Sequence, residues 1–183
     1  EIMFGLNLIV NRGKTIFLCD TSVIEYPDAK QLAEMAKSAA RVVRLFGFDP
    51  KIAFLSHSTF GEPATDRTKR LSDAVEILKK DNVDFKFDGE MQPDVALEEV
   101  YKELYPFSEI VGSSNVLIMP SQHSAAISYK MIKSMSRAKV IGPLLVGLGQ
   151  PIEIAPLRSS TSDIINLASI AAYSADVIQY KKN

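Results

Sequence analysis

Side chains able to do chemistry gather in a few short stretches of this sequence. Ser58-Thr59-Phe60-Gly61 follows a short apolar run and offers two hydroxyls in a loop, where scaffold-supported ligand contacts are common. A second stretch, Pro156-Leu157-Arg158-Ser159-Ser160-Thr161-Ser162-Asp163, precedes the last apolar-periodic segment. Within it Ser160-x-x-Asp163 has capping-box spacing, so its side chains are expected to satisfy the free N–H groups of a helix start. The Asp163 charge suits that end of a helix, and exposed N–H groups there can also receive an anion. The paired carboxylates Asp88 with Glu90 and Glu98 with Glu99 are expected to be solvated surface. His57 and His123 are the only histidines and Cys19 the only cysteine, so no Cys/His cluster is available and no metal site is expected. Ser56-His57-Ser58 suggests a hydrolase only superficially. Sequence neighbours do not form a nucleophile–base pair, and G-x-S-x-G is absent. G-x-G-x-x-G and the P-loop are absent too, with Gly142, Gly147 and Gly149 wrongly spaced for either.

The elements that must position these residues follow from periodicity. Residues 2–10 and 15–19 are apolar runs joined by Asn11-Arg12-Gly13-Lys14, which reads as a hairpin turn. Pro27-Asp28 opens a helix whose Leu32, Met35, Ala36, Ala39, Val43 and Phe46 fall on one face. Gly47 and Pro50 end it. A strand is expected at 52–55, then a polar loop at 56–66. A helix follows with Leu71, Ala74, Val75 and Leu78 inward. Phe85 to Phe87 reads as a strand ending at Asp88-Gly89, and Pro93-Asp94 starts a helix running to about Leu104. A strand at 116–119 leads to a helix with Ser124, Ile127, Ser128, Met131 and Met135 at helical spacing. The apolar stretch 140–148 contains Gly142-Pro143, a short strand is expected at 152–154, and a final helix carries Ile164, Leu167, Ala168, Ala171, Ala175 and Ile178. Strand and helix alternate about five times, which implies an α/β fold with a largely parallel sheet and crossover helices on both faces. In such sheets ligands gather at the carboxyl ends of the strands.

Composition narrows the function classes. The chain has 183 residues, 46% of them hydrophobic, and a net charge of −1 from 21 basic and 22 acidic residues. That balance gives no nucleic-acid footprint. No apolar run reaches the ~20 residues of a membrane span. A lone cysteine permits no internal disulfide and fits a reducing, cytoplasmic setting. The first residues carry no signal-peptide pattern and lack an initiator Met, so the chain is expected to be a segment of a longer polypeptide.

Several motifs in order carry a resemblance. They are Ile16-Phe17-Leu18-Cys19-Asp20-Thr21, then Lys51-Ile52-Ala53-Phe54-Leu55-Ser56 leading to Ser58-Thr59-Phe60-Gly61, then Asp88-Gly89-Glu90-Met91-Gln92. Asn115-Val116-Leu117-Ile118-Met119-Pro120, Tyr129-Lys130, Ile141-Gly142-Pro143-Leu144-Leu145-Val146-Gly147-Leu148 and Asp163-Ile164-Ile165-Asn166-Leu167-Ala168 follow. The set resembles the C-terminal half of the phosphate acetyl/butyryltransferase family. Phe60-Gly61, Asp94-Val95-Ala96-Leu97, Tyr105-Pro106-Phe107 and His123-Ser124-Ala125 place the resemblance nearest to the phosphotransacetylase-like tail domain of bacterial NADP-dependent malic enzymes.

The resemblance implies a two-domain fold of the isocitrate/isopropylmalate dehydrogenase type, with acyl-CoA and phosphate meeting between the domains. Residues 1–150 would form the second domain, and 151–183 a strand and helix returning to a first domain that lies outside this chain. In the family a Ser-Arg-Gly-Cys-like loop supplies an arginine for phosphate, and an aspartate at the helix start acts as base toward the CoA thiol. Anchored on Asp163, those four positions fall on Pro156, Leu157, Arg158 and Ser159. The serine is replaced by proline and the arginine by leucine, with Arg158 displaced by one. Catalysis would then rest on Asp163 and Arg158. Acyl-CoA or phosphate contact would fall to Arg158, Ser159, Ser160, Ser58 and Thr59. The altered loop favours an acetyl-CoA-sensing regulatory and oligomerisation domain over an active phosphate acetyltransferase or a ligand-free oligomerisation module. Partners implied are acetyl-CoA, a second copy of the chain, and upstream malic-enzyme domains holding NADP and a divalent metal.

Overall fold

The structure is a computed structural model that describes residues 2–180, with side chains described through Ala175. The chain opens with the expected hairpin, β1 (Phe4–Asn11) and β2 (Lys14–Cys19). Arg12 and Gly13 at its tip both have positive φ, 49° and 79°, the geometry that matches the twist of two adjacent antiparallel strands. Then follow α1 (Ala29–Leu45), β3 (Lys51–Leu55), α2 (Asp66–Lys80), β4 (Lys86–Met91), α3 (Pro93–Leu97), a 3₁₀ turn (Glu99–Glu103), β5 (Val116–Ile118), α4 (Gln122–Met135), β6 (Lys139–Val146) and α5 (Thr161–Tyr180).

The six strands lie in the order β4-β3-β5-β2-β1-β6. Strands β2, β3, β4 and β5 pair in parallel, while β1 runs antiparallel to both neighbours, β2 and β6. Five strands therefore point one way, and their carboxyl ends form one rim. Both faces are covered. Ile52, Phe54, Val116 and Ile118 pack with Leu32, Met35, Leu71 and Leu78 under α1 and α2, joined by Leu167 of α5. Ala53, Leu55 and Leu117 point the other way and pack with Val95, Ala96 and Ala125 under α3 and α4. This two-sided burial is why β3 and β5 are continuous apolar runs rather than alternating ones.

The ends of α1 behave as its sequence demands. Asp28 accepts from the Gln31 N–H at 2.8 Å while Gln31 Oε1 accepts from the Asp28 N–H at 2.9 Å. Gly47, at φ 80°, follows the last turn.

Four expectations change. Strand β4 passes through Asp88-Gly89 and ends at Met91. Gly89, at φ 141°, lies so close to β3 that a Cβ would stand 2.8 Å from the Phe54 carbonyl oxygen, and only glycine fits there. The helix at Pro93 stops at Leu97, where Glu98 turns extended, and resumes only as the 3₁₀ turn. No strand forms at 152–154, where a single bridge joins Glu153 to Leu144. On α4 and α5 most of the periodic apolar residues face outward: Ile127, Met131, Met135 and Ile164 are exposed, and Ala125 and Leu167 are the buried anchors. The Ile178 side chain lies outside the described residues. No helix among the described residues is long and apolar enough to cross a membrane.

Candidate functional site

The loop after β3 is built around a buried carboxylate. Glu90, at the end of β4, is fully buried, contrary to the expectation of a solvated Asp88/Glu90 pair. Its Oε1 accepts from Ser58 Oγ at 3.0 Å and from the Gly61 N–H at 2.7 Å, and its Oε2 accepts from Ser72 Oγ at 2.6 Å. Burial alone would raise its pKa, but these donors outweigh burial and hold it below the usual carboxylate value. Ser58 is itself buried, and its Oγ lies 3.2 Å from Ser56 Oγ. Thr59 Oγ1 accepts from the Gln92 N–H at 3.2 Å. Phe60 stacks against Tyr105 and Phe107 at ring distances of 5.3 and 4.9 Å. Ser58 and Thr59 thus spend their hydroxyls on the loop's own architecture. Glu98 and Glu99 are exposed, as are His57 and His123, and no group of three His, Cys, Asp or Glu side chains among the described residues could hold a metal.

The loop before α5 brings the other expected residues together. Arg158, Ser159 and Asp163 line one small cleft of about 70 Å³ with Lys133, Gly142 and Pro156. Ser160 and Asp163 form the anticipated reciprocal cap. Asp163 Oδ2 accepts from the Ser160 N–H at 3.0 Å and from Ser160 Oγ at 2.8 Å, while Ser160 Oγ accepts from the Asp163 N–H at 3.2 Å. These bonds from Ser160, with more distant help from Lys133 and Lys139, hold the Asp163 carboxyl below its usual value. Leu157 projects wholly into solvent. Neither Ser58 nor Thr59 lines this cleft.

A larger crevice, of about 380 Å³, is lined by none of the residues the sequence reading assigned to catalysis or ligand binding. It opens between the carboxyl ends of β3 and β5, lined by Leu55, Ser56 and His57 on one side and Met119, Pro120, Ser121 and Ser124 on the other. Arg67, Arg70 and Tyr26 close its rim. Arg70, on α2, ties two loops together. It donates to the Pro27 carbonyl oxygen, to the Pro120 carbonyl oxygen at 2.7 Å, and stands 3.6 Å over the Tyr26 ring. The order of elements points only to the rim of strand carboxyl ends, and the crevice opens there where neighbouring strands have oppositely directed crossovers. The strand order that exposes it is a product of tertiary pairing.

Comparison with known proteins places the fold. The family model for phosphate acetyl/butaryl transferase matches residues 1–172. The chain belongs to that family. It is 44% identical over 94% of its length to the NADP-dependent malic enzyme of Rhizobium meliloti, of which it covers 23%. It is 34% identical over 91% of its length to the phosphate acetyltransferase of Bacillus subtilis, covering 52% of that protein. Among solved structures, a phosphotransacetylase from Streptococcus pyogenes superimposes with a TM-score of 0.89 and 32% identity, over 96% of this chain and 54% of that one. The chain therefore spans less than a quarter of the malic enzymes it matches and about half of the transacetylases.

Proposed function

We propose that this chain is the phosphotransacetylase-like C-terminal domain of an NADP-dependent malic enzyme, serving there as an acetyl-CoA-sensing and oligomerisation domain in the cytoplasm. The observation that carries the reading is the 44% identity to a malic enzyme that is about four times longer than the matched segment. The loop before α5 supports a regulatory rather than catalytic role. Proline and leucine stand at the family's serine and arginine positions, and one oxygen of Asp163 is taken up by Ser160. In this reading residues 1–150 are the second of two transacetylase-like domains and 151–183 return to the first. NADP and a divalent metal belong to upstream domains, and no residue described here is assigned to either.

For acetyl-CoA to regulate the parent it must bind the active and inactive states with different affinity. The test is malate-dependent NADPH formation by the natural full-length polypeptide, with acetyl-CoA titrated in. A dose-dependent change in rate is expected. An indifferent enzyme that stays assembled would leave oligomerisation as the domain's role.

One observation favours a second reading, an active phosphate acetyltransferase: Arg158 and Asp163 share a cleft with Lys133. Phosphate-dependent acetyl transfer that vanishes in both Arg158→Ala and Asp163→Ala would establish it.

A further inference from the structure

We propose that the crevice between β3 and β5 binds the phosphoryl group of an anionic, nucleotide-type ligand, with Arg67 as the direct contact. Its acyl-CoA form rests on the reading above, while the phosphoryl chemistry stands on the crevice itself.

Topology puts the crevice where a ligand belongs. From β3 the chain turns into α2 on one face of the sheet, and from β5 into α4 on the other. The gap between two such adjacent strands is the switch point of a doubly wound sheet. The first turns of α2 and α4 flank it, helices of 15 and 14 residues whose N-termini favour negative charge. A volume near 380 Å³ lies in the range of about 300–1,000 Å³ typical of small-molecule sites.

The charges at the rim lack an anion. Two guanidiniums line the crevice and no carboxylate does. Arg67 makes no hydrogen bond or ion pair among the described residues, and it occupies the first turn of α2, where the helix dipole disfavours a cation. Asp66 beside it is exposed and lies outside the lining. Arg70 is partly buried, and its Nε–H has no partner. Burial lowers its pKa against the opposing effect of Tyr26 and Asp28, and Asp28 is engaged in capping α1. Arg67 is exposed and Arg70 partly buried, and a crevice lined by positive charge with no carboxylate concentrates anions. A guanidinium fork pairs bidentately with phosphoryl oxygens. The walls argue for more than bare phosphate: Leu55, Leu71, Pro93 and Met119 are apolar, and Tyr26 is 58% exposed beside Arg70.

The test is calorimetric titration of the natural full-length polypeptide with pyrophosphate and, separately, with CoA at low salt. The wild type is expected to bind both. Arg67→Ala should weaken each at least about tenfold and Arg67→Glu should abolish binding, with Arg67→Lys falling between wild type and Arg67→Ala because lysine keeps the charge but not the fork. Lys69→Ala, on the same helix but outside the lining, should leave both affinities unchanged. Circular dichroism of each variant reports its fold. Arg67-dependent pyrophosphate binding without CoA binding would uphold the phosphoryl site and remove the acyl-CoA reading. CoA binding indifferent to Arg67→Ala would overturn the site and leave that reading intact. A wild type that binds neither ligand, or an equal loss in Lys69→Ala, would also overturn it.

Discussion

The loop that leaves β3 and the loop that enters α5 are both rich in serine and threonine, yet they are supported in opposite ways. The first is anchored by partners far away in sequence. Ser58 and Gly61 reach Glu90, Glu90 reaches Ser72, and Phe60 sits on Tyr105 and Phe107. The second is held by neighbours three residues off, Ser159 with Pro156 and Ser160 with Asp163. Around it Ile152, Ile154, Leu157, Ile164 and Ile165 are exposed. A hydroxyl-rich motif therefore says little by itself about function. In the first loop the hydroxyls are consumed by structure, and in the second they are cheaply rearranged.

Four substitutions would sharpen or break this contrast. Glu90→Ala leaves three donors without their acceptor in a buried site and is expected to destabilise the fold by about 3 kcal/mol, read by urea unfolding. A loss under about 1 kcal/mol would mean that the loop after β3 is no better supported than the other.

Glu153 probes the C-terminal side. Burial, only partly offset by the Leu145 backbone, pushes its pKa from 4.5 up to about 7, and its Oε2 has no partner. The folded state then holds this proton more tightly than the unfolded one, so stability falls as pH rises from about 4.5 to about 7. Glu153→Gln should remove that slope and stabilise the protein above pH 7 by on the order of 1–2 kcal/mol, after allowance for solvent screening. Thermal melts across pH would show it.

Ser160→Ala removes a purely local cap and should cost about 1 kcal/mol. Arg158→Ala, at an exposed position, should stay within about 0.5 kcal/mol of wild type. A larger loss in either would reveal long-range support for the loop before α5.

Much of the fold was legible in the sequence because local rules and burial agreed. The caps at Asp28 and Gly47, the Arg12-Gly13 turn and the two-sided apolar strands each show in the sequence what they do in the structure. Legibility failed where a neighbouring element decided the outcome. Gly89 looked like a strand end, but close approach to Phe54 keeps it within β4. Glu90 looked like a surface acid, and three donors from separate segments bury it. On α4, periodic Ile127, Met131 and Met135 suggested a core face, yet the smaller Ala125 is what packs on the sheet. The capping box at Ser160 and Asp163 was readable because it is local. The crevice was not, because Tyr26, Ser56, Arg67, Arg70 and Ser121 come from three separate crossovers.

The reversed direction of β1 has a practical use. Its turn at Arg12-Gly13 lies on the rim opposite the strand carboxyl ends, and a Cβ on Gly13 would meet nothing within 4 Å. A fluorescent reporter or affinity tag grafted there would stand on the far side of the sheet from the crevice. Occupancy could then be followed by label or pull-down without an attachment crowding the ligand's entrance.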